Sequence, residues 1–176
     1  MPLRGASGGV LYVKNQPVAY FADQIQQGDV NLFNVKIGDP EFTTLWEALA
    51  IAVAIKLWTD KLGPSTTFEL RSDSLGALSA IAKKASRSAG MNKIIAEIAL
   101  MEAAVGVSIT SLTHIPGLSN DTRDALSRLW APEAKSIPDQ LRGVTREGCL
   151  ARDRSFWLTM LPPRKRFRQK QKARGL

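Results

Sequence analysis

Apolar and polar positions follow a regular order along most of the chain. Gly8-Gly9 opens the run VLYV, the turn KNQP follows and VAYFA resumes, so residues 9–25 read as a β-hairpin. The polar, irregular stretch QQGDVNLFNVKIGDPEF precedes TTLWEALAIAVAIKLWTDKLG, where Thr43 or Thr44 can cap, Ala and Leu dominate and Gly63-Pro64 stops the helix. TTFELRSD alternates into a strand ending at Asp73, and SLGALSAIAKK is a short helix broken at SRSAG. MNKIIAEIALMEAAVG predicts a third helix with apolar Ile94, Ile95, Ile98, Leu100 and Met101. VSITSLTHIPG predicts a strand running into a loop at His114, and SNDTRDALSRLW a helix from a capping Ser119 or Asn120 to Trp130. Hairpin, helix, strand, helices, strand, helix is the order of an α/β fold.

From Ala131 the periodicity fades, so residues 1–130 are expected to form one domain and 131–161 a linker or C-terminal extension with one apolar clump, FWLTML. Residues 162–176 form a basic tail, expected to be disordered. The net charge of +8 belongs largely to that tail, because Arg164, Lys165, Arg166, Arg168, Lys170, Lys172 and Arg174 face no acid there. Residues 1–161 carry 17 basic and 16 acidic groups.

A hydrophobic fraction of 44% excludes a wholly disordered chain. The longest apolar run, Ala48 to Ile55, is eight residues, far short of the ~20 that span a bilayer, so no membrane partner is expected. Cys149 is the single cysteine, which rules out an internal disulfide and a thiolate metal cluster and makes a reducing, intracellular compartment the default.

Four residues stand in unusual company. Glu47 lies in a helix that is apolar nearly all round, where a carboxylate keeps its charge only if cations or donors meet it; the other reading puts it on a wet stripe with Lys56. Asp73 ends a strand, where open α/β sheets place ligand groups, but it can equally cap the next helix. Asp124 alone reads as a solvated helix acid balanced by Arg123 and Arg128, and His114 alone as a packed or capping residue. Two strand ends and two helices are nevertheless a recurrent way to bring carboxylates to one point.

With those residues in hand, the chain from Gly8 to Trp130 resembles the type 1 ribonuclease H family, in particular the domain carried by retroelement reverse transcriptases. THIPGLSNDTRDALSRLW is similar to that family's final block, LRSDSLGAL to its strand-end Asp followed by a helix, and LWEALAIAVAI to the helix bearing its catalytic Glu. The resemblance implies a mixed sheet flanked by helices and hydrolysis of the RNA strand of RNA/DNA hybrids. It implies Glu47, Asp73 and Asp124 as ligands of two Mg²⁺ ions, His114 as a proton carrier and Asn120 as a substrate contact. A reverse transcriptase domain is the implied neighbour. The basic insertion of the family is reduced to Lys83, Lys84 and Arg87, the expected nucleic-acid contacts of the core.

The chain departs from that family at its start. The first strand of the family carries a catalytic Asp, whereas only MPLRGAS precedes Gly8-Gly9 and no acid precedes Asp23. The first strand is therefore expected to be short or missing, and three carboxylates hold metal ions more weakly than four. A catalytically inactive module that binds nucleic acid or tethers to a polymerase is the alternative to a nuclease. The tail reads three ways: a phosphate grip, a nuclear address or a solvated end.

Overall fold

The hairpin forms where the alternation predicts it. Strand β1 (Ala6–Val13) pairs antiparallel with β2 (Gln16–Gln24) through a turn at Lys14 and Asn15, both left-handed, with φ of 51° and 63°. This computed structural model describes residues 6–36, 38–116, 122, 125–126, 128–129, 136–148 and 150–160. Helix α1 (Gln27–Phe33) follows, then α2 (Thr43–Leu62), β3 (Thr67–Ser72), α3 (Leu75–Lys83), α4 (Ala89–Val105), β4 (Ser108–His114) and the short β5 (Thr145–Arg146). The result is the mixed α/β class the pattern predicts, consistent with a ribonuclease H-like α/β fold.

Helix α2 is the centre of the packing. Its apolar residues point in nearly every direction, so Leu45, Leu49, Ile51, Val53, Ile55 and Trp58 are all buried. One apolar cluster unites them with Ala19 and Phe21 of β2 and with Ile94, Ile95, Ile98 and Met101 of α4. Phe68 and Leu70 of β3 and Ile109 and Leu112 of β4 pack against the same cluster. The opposite face of the hairpin is covered separately, by Tyr20, Ala22, Leu126 and Leu141.

The strands fall into two sheets, β1-β2-β5 and β3-β4, with no ladder joining them among the described residues. The register shows which edges stay unpaired. Tyr20 O accepts from Glu147 N, so Tyr20 faces β5 and its partner Val10, like Gly8 and Ala6, turns its backbone groups away from β2. Thr66 O and Ser72 O accept from β4, so Thr67, Glu69 and Arg71 turn theirs away from β4.

Residues 150–160 lie against the helices. Phe156 and Trp157 are buried in the main cluster, and Trp157 meets Phe33 edge-on with ring centres 5.8 Å apart. Of the clump FWLTML, Phe156 and Trp157 are thus core, with Leu158 and Met160 partly buried against it, within the segment the pattern assigns to an extension.

Candidate functional site

Asp73 follows the last residue of β3, and His114 is the last residue of β4. The two strands are parallel, with Ser72 opposite His114 and Ile115 N donating to Ser72 O at 2.9 Å, so both residues emerge at the same sheet end. Asp73 is not the cap of α3. Ser74 takes that role, its Oγ accepting from Ala77 N at 3.2 Å, while Ser74 N donates to Ser72 Oγ at 3.1 Å. Asp73 is half-buried and His114 exposed.

Helix α2, which carries Glu47, starts against α3. A Cβ built on Gly76, in the first turn of α3, would sit 2.9 Å from Thr44 Cγ2, so the starts of α2 and α3 touch backbone to side chain. Glu47 lies three residues, just under one turn, beyond Thr44, and Asp73 three residues before Gly76. Both carboxylates are half-buried and each has an interaction partner.

Asn120 and Asp124 lie outside the described residues. Nearby, Thr122, Ala125 and Leu126 are buried, and a Cβ added to Gly8 would come within 2.7 Å of Leu126 Cβ, so Leu126 rests on β1. Among the described residues no group of three or more His, Cys, Asp or Glu side chains is placed to hold a metal ion. Glu47 and Asp73 are hard oxygen donors of the kind Mg²⁺ prefers, so the described residues fit that ion in kind but not in number.

Lys83, Lys84 and Arg87 are exposed around the turn from α3 to α4. The nine residues of α3 separate Lys83 from Asp73 by about 13 Å of helix rise. Closer to Asp73, Arg71 projects from the open face of β3–β4. Its guanidinium meets Glu69 Oε2 at 2.6 Å, and Glu69 Oε1 accepts from Thr113 Oγ1. Those contacts, the Arg71 hydrogen bond first, hold the Glu69 carboxyl below its ordinary range.

Two buried polar clusters escape the sequence pattern. Arg152, fully enclosed, donates from Nε to Asp29 Oδ1 at 2.9 Å and Oδ2 at 2.8 Å, from one terminal nitrogen to Asp23 Oδ2, and from the other to Gln24 O at 2.7 Å. Burial pushes the Asp29 carboxyl up against the opposing pull of Arg152. Glu97 of α4 accepts from Leu158 N at 2.7 Å and Thr159 N at 3.0 Å and lies 3.9 Å from Lys56 Nζ. Lys56, which donates to Phe156 O, is held below its ordinary value by burial, with Glu97 opposing. Both clusters fasten residues 150–160 to the body. The signal for Glu97 is the same as for Glu47, an acid among buried helix positions; Asp23, Asp29 and Arg152 are too far apart in sequence to show any.

No protein-family model, curated protein or solved structure matches the chain. No helix among the described residues is long and apolar enough to cross a membrane.

Proposed function

We propose that this chain is a ribonuclease H-type, metal-dependent endonuclease module that acts on the RNA strand of RNA/DNA hybrids, of the sort a retroelement reverse transcriptase carries. The observation that carries this reading is the meeting of Asp73 and His114 at one sheet end, with the helix bearing Glu47 packed on the start of α3 through Thr44 and Gly76. Glu47, Asp73 and Asp124 are the carboxylates that would hold Mg²⁺. Two such ions supply an activated water and a counter-charge for the leaving 3′-oxygen. Carboxylates suit that work because they are hard donors that stay ionised at neutral pH.

His114, exposed at its strand end, is the imidazole assigned to carry a proton between the leaving group and solvent. Asn120 is assigned a substrate contact, and Lys83, Lys84 and Arg87 bind phosphates beyond the scissile bond. Hybrid shape and ribose hydroxyls, rather than base edges, set the preference.

A second reading, hybrid binding without cleavage, is favoured by one observation: Asp23, the acid of the hairpin, is committed to Arg152 rather than offered to a metal. The test is a labelled RNA/DNA hybrid incubated with the full chain in Mg²⁺ or Mn²⁺, with binding measured in parallel in EDTA. Cleavage that Asp73→Asn reduces by at least about 100-fold while binding persists supports the nuclease. Binding with no cleavage at any metal concentration supports the second reading, and absence of both refutes the two together.

A further inference from the structure

We propose that Arg71 is a phosphate-binding residue for the strand that enters the candidate site, held in place and partly masked by Glu69. The proposal rests on the nucleic-acid reading above and adds to it a contact on the open face of β3–β4.

Among the described residues nothing covers that face. Phe68 and Leu70 turn into the core with Ile109 and Leu112, which leaves Thr67, Glu69 and Arg71 of β3 and Ser111 and Thr113 of β4 exposed on the other side. The hairpin sheet has its second face closed by Leu126 and Leu141, whereas, among the described residues, the sheet that ends at Asp73 and His114 keeps one face exposed. Arg71 lies two residues before Asp73, and its cross-strand neighbour Thr113 directly precedes His114.

The side chains there are an anion-binding set. The Arg71 side chain is 56% exposed yet oriented, because Glu69 grips it at 2.6 Å and Thr113 grips Glu69. Tyr12, half exposed on β1, lies within electrostatic range of Arg71; Ser111, opposite Glu69 in the register, offers a hydroxyl donor for a phosphate oxygen, and the Thr113 hydroxyl, opposite Arg71, becomes one only when Glu69 is displaced. A guanidinium takes a phosphate through two parallel N–H bonds, a stronger partner than an exposed carboxylate screened by water. Exchange of Glu69 for a phosphate is therefore favourable only where the duplex brings one to this spot, and Glu69 disfavours loosely held anions.

The experiment measures affinity of the full chain for a fluorescent RNA/DNA hybrid in EDTA, across a salt series, for the wild type, Arg71→Gln, Arg71→Lys and Glu69→Gln. Arg71→Gln should weaken binding about three- to tenfold and reduce the slope of log affinity against log salt by roughly 0.7–0.9, the loss of one phosphate contact. Glu69→Gln leaves one acceptor oxygen for Arg71 or Thr113 and removes the competing charge, so it should tighten binding by a similar factor. Arg71→Lys should keep the slope while losing affinity. Wild-type affinity and slope in Arg71→Gln and Glu69→Gln, with the wild type binding normally, overturn this inference alone. A wild type that binds no hybrid overturns the proposed function and this inference with it.

Discussion

Replacing Arg152 by Met tests whether a single side chain fastens residues 150–160 to the rest of the chain. Met fills much of the stem volume but supplies no donor, so Asp23 and Asp29, 5% and 0% exposed, lose the one cation hydrogen-bonded to both. Breaking a buried pair by removing one partner costs about 3–5 kcal/mol, because the remaining charge stays desolvated and unpaired. Against a total stability of about 5–15 kcal/mol, that loss is a large share. Urea unfolding at pH 7, followed by circular dichroism and by tryptophan fluorescence, should show the lowered midpoint; Trp157, stacked edge-on against Phe33 and Phe156, reports the segment itself. The triple variant Arg152→Met, Asp23→Asn, Asp29→Asn should recover more than half of the loss, since neutral groups of the same shape no longer need a cation. A loss under about 1 kcal/mol in the single variant, or a triple variant no better than the single, refutes the reasoning.

Three further outcomes are expected. Burial holds the folded Asp29 carboxyl above 3.8, so the folded chain binds that proton more tightly than the unfolded one and this group adds stability as pH falls from the raised value toward 3.8. The wild type should therefore gain on Asp29→Asn in urea midpoint as pH drops through that window, and parallel pH profiles would count against it. Glu97→Gln leaves one oxygen for two backbone donors, Leu158 N and Thr159 N, and should cost about 1–3 kcal/mol, with faster amide exchange at those two positions. Gly9→Ala places a methyl 2.7 Å from Phe21 Cε1, in a ring that is 0% exposed, and should cost about 1–3 kcal/mol of overpacking; an unchanged Tm contradicts it.

The elements with strong periodicity were legible. The hairpin, α2, β3, α3, α4 and β4 all lie within a few residues of the bounds their apolar patterns imply, because each buries one face or stripe against the same cluster. Helix α1 was not: its sequence QGDVNLF has little apolar period, and what starts it is Asp29 Oδ2 accepting from Gln26 N at 2.8 Å, while Arg152, 123 residues away, satisfies the rest of that carboxylate. The docking of Phe156 and Trp157 was equally hidden, since a six-residue apolar clump after irregular sequence does not say what it packs on. At the site, the pattern named Asp73 and Glu47 but left open whether Asp73 caps α3; the hydroxyl of Ser74 decides that locally. Arg71 drew no attention because a lone Arg on an alternating strand is an ordinary solvent-facing residue until the register puts it beside Asp73 and Thr113.

The division into two sheets bears on what the site requires. Asp73, His114 and Glu47 belong to β3, β4 and α2, whose relative positions are fixed by the parallel ladder and by the contact between Thr44 and Gly76. Leu126, two residues after Asp124 in sequence, packs instead on Gly8 of β1 and on Tyr20 and Ala22 of β2. Among the described residues no backbone pairing connects those two groups of elements; the apolar cluster around α2 does. Under the proposed function, a site drawing Glu47 and Asp73 from one group and Asp124 from the other would depend on close side-chain packing, rather than on a shared ladder, to hold its donors in register. If the proposed function holds, truncating Leu11 or Phe21, which carry β1 and β2 onto α2, should weaken Mg²⁺ affinity measured by calorimetry without changing any proposed ligand, and an affinity equal to wild type would refute that dependence.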